Sequence, residues 1–168
     1  AEELDALNTE RRSAEQQLVK AAQAQAAGHD FIGEKALIVR GQDWHVGVIV
    51  LAAGRLCQQY YCPTCVLSEH EGLLHGSLRS IPGVHIHECL KTCDDLLLRY
   101  GGHEQAAGVT LEADRYEAFC ERLQSAVGRA EESCFVPAQP YDAELTLSDC
   151  TDALLDEISR MAPFGCGN

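Results

Sequence analysis

Basic residues are scarce in this sequence. Thirteen Lys and Arg stand against 26 Asp and Glu in 168 residues, a formal net charge of −13. Non-specific affinity for nucleic acid comes from neutralising phosphates with Lys and Arg, so binding by overall attraction is excluded. A small basic pocket on an acidic body is still allowed, because Arg40, Arg55, Arg79 and Arg99 fall mid-chain while acidic residues crowd the two ends. Long apolar runs are also missing: no stretch of about 18 such residues occurs, and no charged-then-apolar segment opens the chain. A soluble, cytoplasmic protein without membrane association is expected.

Several chemical signatures are missing as well. No Gly-x-Ser-x-Gly elbow occurs for a serine nucleophile. Neither a Walker nor a dinucleotide glycine pattern is present, since Gly101-Gly102-x5-Gly108 has the wrong spacing for both. No group of Asp, His and Glu offers to hold the ions that would activate water against a phosphodiester. The alternate histidines His85 and His87 have no carboxylate-rich cluster beside them, and no metal site in this chain is assigned to them.

Cysteine, by contrast, is abundant, with nine residues at 57, 62, 65, 89, 93, 120, 134, 150 and 166. The odd number, the apolar runs that hold most of them and the lack of a secretion signal argue against a disulfide framework. Cys62-Pro-Thr-Cys65 has zinc-knuckle spacing, but its partners would be Cys89 and Cys93, one residue wider apart within a predicted helix. A closed zinc site needs four converging ligands, so buried free thiols are the better reading.

What is present points to phosphate. Gly76-Ser77-Leu78-Arg79-Ser80 and Gly101-Gly102-His103-Glu104-Gln105-Ala106-Ala107-Gly108 each set glycines beside side chains suited to an oxyanion. In an extended segment Ser77 and Arg79 share a face, because side chains alternate with period two. The two stretches, separated by one predicted helix, would converge at the ends of neighbouring strands.

Taken in order, residues 1–27 form an amphipathic helix with Leu4, Leu7, Ala14, Leu18 and Ala21 on one face, ended by Gly28. Arg11 is expected to pair with Glu15 on its solvated face. Ala36–Val39 is a buried strand. Asp43 is a plausible N-cap for a nearly all-round apolar helix from Val46 to Tyr60, buried on more than one side. His45, at that helix's N-terminus, either contacts a phosphate or helps cap the helix. Pro63–Leu67 and Leu73–Ile81 are further strands around a charged turn at Glu69–Gly72. A helix through Leu96–Leu98 runs into a Gly101-Gly102-His103 turn. Ala106–Leu111 becomes strand-like, and Asp114 with Glu117 opens a helix bearing Tyr116, Phe119, Leu123 and Val127. Ala143–Leu147 alternates as a half-exposed strand, and Thr151 caps a last helix with Leu154, Leu155, Ile158 and Met161 inward. The fold class is therefore α/β: a mixed sheet of about five strands flanked by helices, preceded by a long connecting helix. The division expected is 1–28, 29–147 and 148–168. An opening inside a helical pattern and an end just past a Pro-Phe-Gly-x-Gly turn read as an excised portion of a larger protein.

The ordered motifs Trp44-His45-x-Gly47-Val48-Ile49, Pro63-Thr64-x-Val66-Leu67-Ser68, Gly76-Ser77-x-Arg79-Ser80-Ile81-Pro82-Gly83, Arg99-Tyr100-Gly101-Gly102-His103-x-x-Ala106-Ala107-Gly108 and Pro163-Phe164-Gly165-x-Gly167-Asn168 resemble RecJ-type single-stranded-DNA-specific exonucleases of the DHH superfamily. Leu7-Asn8-x-x-Arg11-Arg12 also resembles the start of that family's inter-domain helix. Val50-Leu51 departs from the usual Gly-Ile and Gly54 from the usual Ser, at positions expected to be buried in a helix. The resemblance covers the DHH-associated domain and implies a metal-dependent 5′→3′ exonuclease of DNA repair and recombination. Its Mn²⁺ or Mg²⁺ would be bound by a separate DHH domain, so this chain alone would be inactive. It further implies that Ser77, Arg79, Ser80, Gly101 and Gly102 bind the strand, with lesser contacts from His45 and Arg11. His103 would reach the scissile phosphate and stabilise developing charge. Implied partners are single-stranded DNA, the enzyme's own DHH and OB-fold domains and a single-strand-binding protein. The alternatives are a DHH-superfamily phosphoesterase for short oligonucleotides or cyclic dinucleotides, and a non-catalytic nucleic-acid-binding module.

Overall fold

The computed structural model describes residues 2–138, 141 and 143–165; Cys166, Gly167 and Asn168 of the terminal motif lie outside them, as do the side chains of Leu4 and Leu7. The chain falls into two compact units, Ala1–Pro137 and Ala138–Asn168.

The first unit is a five-stranded mixed sheet in the order β1-β2-β3-β5-β4, built from β1 (Leu37–Gln42), β2 (Thr64–His70), β3 (Leu73–Arg79), β4 (Arg99–Gly102) and β5 (Ala106–Glu112). β1 and β2 run parallel, joined through helix α2 (Val46–Tyr60), and the other pairings are antiparallel. The β2–β3 turn is two residues, Glu71 and Gly72, both at positive φ (50° and 78°), the twist that a tight hairpin between right-handed strands requires. Gly72 fits there at no steric cost.

Alternation along each strand sends side chains to two separate cores. One holds Leu67, Leu74, Leu78 and Leu111 against α3 (Ile86–Lys91) and α4 (Tyr116–Val127), with Phe119 and Leu123 fully buried. The other holds Leu37, Val39 and Val66 against α2 and α1 (Glu2–Ala26). The seam of α1 is Leu18, Val19, Ala22 and Ala26, while Ala14 and Ala21 are exposed, one position away from the expected face.

Several expectations are corrected. Glu15 pairs with Arg55 of α2 at 3.3 Å, and Arg11 donates instead to Asn8 Oδ1 at 2.9 Å. Helix α2 is buried along one side only: Val48, Ile49, Ala52, Ala53 and Leu56 pack inward, but Val46, Val50 and Leu51 are 55%, 37% and 38% exposed. Leu96–Leu98 does not continue a helix, because a short 3-10 turn ends at Leu96 and β4 begins at Arg99. Gly101-Gly102 is therefore strand, not turn. Asp114 makes no side-chain cap to α4, which is entered through a 3-10 turn over Ala113–Arg115. Cys62 packs in the α1–α2 layer, while Cys65, Cys89 and Cys93 belong to the opposite one, so these four thiols do not converge.

In the second unit, Thr151 caps α5 (Asp152–Arg160) by accepting from Leu154 N–H at 3.2 Å. Ala143–Leu147 forms no strand, because Thr146 N–H and Oγ1 both bind the Asp149 carboxylate (2.8 and 2.6 Å) and close a turn. Leu155, Ile158 and Met161 are exposed rather than inward, since this short unit offers them no core.

Two measurements check this account. Phe119→Ala should cost about 3–5 kcal/mol in urea denaturation, the range for emptying a fully buried aromatic site. Burial pushes the Cys57 and Cys120 thiols up to about 11 from an ordinary 9.0. The folded chain thus holds these protons more tightly than the unfolded one, so their contribution is complete below about pH 9 and is lost as pH rises through about 11. The urea midpoint should fall over that window, and less steeply in the Cys57→Ala, Cys120→Ala double variant.

Candidate phosphate-binding site

The N-terminus of α2 is fixed by the segment that precedes it. Asp43, at φ 52°, donates its N–H to Glu69 O (2.9 Å) and its carboxylate holds His70 Nδ1 at 2.7 Å, raising that imidazole's pKa above its ordinary range. Ser68 Oγ donates to Trp44 O at 2.6 Å, and the Trp44 ring lies against Gly41, where a Cβ would collide with it. The residue that caps α2 is His45 rather than Asp43: its Nδ1 accepts from Gly47 N–H at 3.1 Å.

So anchored, α2 covers β2 and β3 while α1 covers β1, and β5 and β4 are left open on the same side. A trough results. Its floor is Gly76, Gly101 and Gly108, with Val46 on one wall, and those four residues are common to two adjoining depressions. Ser77 and Arg79 lie at one end; His75, Thr110 and Arg99 lie at the other. Ser77 is buried, and Arg79 Nη1 donates to its own strand through Leu78 O (2.8 Å) and to Ser77 Oγ (3.3 Å). The guanidinium is thereby held over the hydroxyl, and both can turn remaining donors to an oxyanion.

The glycines have different duties. A Cβ at Gly101 would meet nothing within 4 Å and one at Gly108 only Gly76 O at 3.7 Å, so both open onto the trough. At Gly76 it would come within 2.6 Å of Leu67 and Val109 in the core. Gly102, at φ 153°, would clash with the Ala106 carbonyl and Ala107.

The other anticipated residues are dispersed. His103 follows β4, exposed, with its N–H donating to Ala106 O at 2.7 Å. The Ser80 hydroxyl donates to Val84 O at 2.6 Å and serves the turn into α3. His45 borders a neighbouring depression with Asp43 and His70. Arg11 lies in another, between α1 and α2, with Arg12 and Arg55. Of the four mid-chain arginines only Arg79 and Arg99 reach the trough, because Arg40 stacks on Tyr116 at 4.2 Å and Arg55 pairs with Glu15. The sequence reading passed over His75, Thr110 and Arg99 as site residues. Their signal lies in strand register, which needs the partner strands to be known.

A family model described as the DHHA1 domain matches residues 33–129, the span that contains every element of the trough. The chain belongs to the DHHA1 domain family. Over its full length this DHHA1 chain is 33% identical to the single-stranded-DNA-specific exonuclease RecJ of Bacillus subtilis, of which it covers 22%. Crystal structures of RecJ from Thermus thermophilus in complex with Mn²⁺ and with Mg²⁺ each match with a TM-score of 0.78 over 99% of the chain, at 26% and 28% identity. The chain spans 24% and 25% of those two. Among the described residues of this DHHA1 chain, no three His, Cys, Asp or Glu are grouped as a metal site, and no helix is long and apolar enough to cross a membrane.

The division of labour among the glycines is testable. Gly108→Ala should leave the melting temperature of this DHHA1 chain within about 2 °C while weakening phosphate-ligand binding, because the new methyl occupies only the trough. Gly76→Ala should lower thermal stability, by roughly 1–3 kcal/mol for overpacking a core, as read by denaturation.

Proposed function

We propose that this DHHA1 chain is the substrate-binding part of a RecJ-like 5′→3′ single-stranded-DNA exonuclease acting in DNA repair and recombination. The observation that carries the reading is the Ser77–Arg79 pair, ordered by the Leu78 carbonyl and the 3.3 Å contact to Ser77, at the end of a glycine-floored trough. A terminal phosphate carries two charges near neutral pH, and a guanidinium with a neighbouring hydroxyl matches its oxygens in number and plane. The relatives named for single-stranded-DNA-specific exonuclease activity favour this ligand over a small cyclic one.

In this reading residues 1–28 connect to a DHH domain, 29–147 hold the strand and 148–168 lead towards an OB-fold. The partners are the strand, those two domains and a single-strand-binding protein. Gly101 and Gly102 let β4 lie close to the DNA strand, and His103 beyond them reaches the scissile phosphate and stabilises developing negative charge there. His45 and Arg11, outside the trough, would contact more distant backbone, and Ser80 acts by holding the turn after Arg79. Divalent ions supply water activation in such enzymes. Among the described residues no group of His, Cys, Asp or Glu is placed to hold such an ion, and the ions belong to the DHH domain.

Arg79→Ala should reduce affinity for a 5′-phosphorylated oligonucleotide by roughly tenfold, the value of a charged hydrogen bond, with an unchanged melting temperature. A large drop in melting temperature would instead make Arg79 a structural residue. Incubated with manganese, the 168-residue chain should leave the oligonucleotide intact; cleavage by a pure sample would overturn the assignment of the metal chemistry to another domain.

A further inference from the structure

The open half of the sheet is ordered across the strands as well as along them. β3 pairs with β5 so that His75 faces Thr110, Ser77 faces Gly108 and Arg79 faces Ala106; β4 pairs with β5 so that Arg99 faces Thr110 and Gly101 faces Gly108. Residues directly opposite share a face, so the trough carries transverse rows. One is His75–Thr110–Arg99 and the next is Ser77–Gly108–Gly101, with Arg79 one row beyond. Rows sit two residues apart along a strand, about 6.7 Å. That is comparable to the step between phosphates of an unstacked, extended single strand.

The far row has the chemistry of an anion site. Thr110 Oγ1 and His75 Nδ1 are 3.3 Å apart, which ties the hydroxyl to the ring and leaves the other ring nitrogen and the hydroxyl's remaining capacity for a ligand. Arg99 is exposed on the edge strand and borders the same depression as His75 and Thr110. No carboxylate among the described residues pairs with it, although the chain carries twice as many acids as bases. Arg79 folds back onto Ser77 Oγ, which puts the first seat in the Ser77 row; beside Ser77 in that row lie Gly108 and Gly101, whose missing side chains leave space for a sugar, and the exposed Val46 gives an apolar wall.

We infer that the trough has a second phosphate seat, formed by Arg99 with Thr110 and His75, which holds a neighbouring phosphate of the strand whose other phosphate lies at Ser77 and Arg79. The inference rests on the proposed phosphate role of Ser77 and Arg79 and goes beyond it by assigning Arg99 as a second phosphate-binding residue. It has a consequence for turnover. A strand occupies both seats, whereas a released mononucleotide has one phosphate and occupies one, so product is held less tightly than substrate in the same groove.

The test compares two probes, thymidine 5′-monophosphate and 5′-phosphorylated tetrathymidylate, titrated without divalent ions into the 168-residue chain and its variants over a range of salt. Arg99→Gln should weaken the tetranucleotide roughly tenfold and leave the mononucleotide unchanged. The slope of log affinity against log salt should fall by about 0.7, the increment for one single-strand phosphate contact. Arg99→Lys should restore most of that slope, since it keeps the charge. Equal losses for both probes, or an unchanged tetranucleotide affinity and slope, would overturn the second seat. Arg79→Gln serves as the separate arm: if it fails to weaken the mononucleotide, the proposed role of Ser77 and Arg79 falls whatever Arg99 does. Binding of neither probe to the parent chain would overturn both.

Discussion

The antiparallel register between β3 and β5 is the constraint on which the site depends. Seven residue pairs from Leu73–Glu112 to Arg79–Ala106 lock the two strands together. A slip by one residue would move Leu74 and Leu78 out of the Phe119 core and push Ser77 and Arg79 into it. The burial of one face thus fixes the polarity of the other. α2 then decides how much of that polar face stays open: it packs on β2 and β3 and stops short of β5 and β4. The position of α2 is set in turn by the contacts of Asp43 and Trp44 with His70 and Ser68.

Much of this was legible in the sequence wherever one strong local rule applied. The period-two run from Leu73 gave a strand, with Ser77 and Arg79 on one face. The Ser/Thr capping rule placed Thr151, and the expected strand count of five matches the sheet. The count is reached by a different membership, however. Ala143–Leu147 has the alternation of a strand but no neighbour to pair with, and Thr146 and Asp149 satisfy their own backbone locally. Arg99–Gly102 has almost no apolar pattern, yet it is a strand because β5 supplies the hydrogen bonds. Edge strands this short are specified by their partner, and the partner is not visible in a local window.

The same limit explains the site. Sequence reading finds residues that stand near one another in the chain, such as Ser77 with Arg79, or a glycine pair with a histidine. It passes over Arg99, Thr110 and His75, which meet only through two pairings across three strands. It also treats glycines alike, whereas Gly101 and Gly108 keep a surface open, Gly76 leaves room for Leu67 and Val109 in the core, and Gly102 lets β4 approach the Ala106 carbonyl. The acidic composition is reconciled by distribution. Arg40 and Arg55 are committed to Tyr116 and Glu15, so the positive charge of the trough rests on two side chains rather than on the bulk of the protein.

Two helices of this chain begin on histidine, with Nδ1 of His45 accepting from Gly47 N–H and Nδ1 of His85 accepting from Glu88 N–H. A ring nitrogen can accept only when it carries no proton, so in the neutral imidazole the hydrogen must sit on Nε2. Capping therefore selects a tautomer, and the nitrogen that it leaves over becomes a donor. For His45, exposed at the head of α2, closing the helix with Nδ1 leaves Nε2–H facing outward, so the capping ring also carries a donor at its other end.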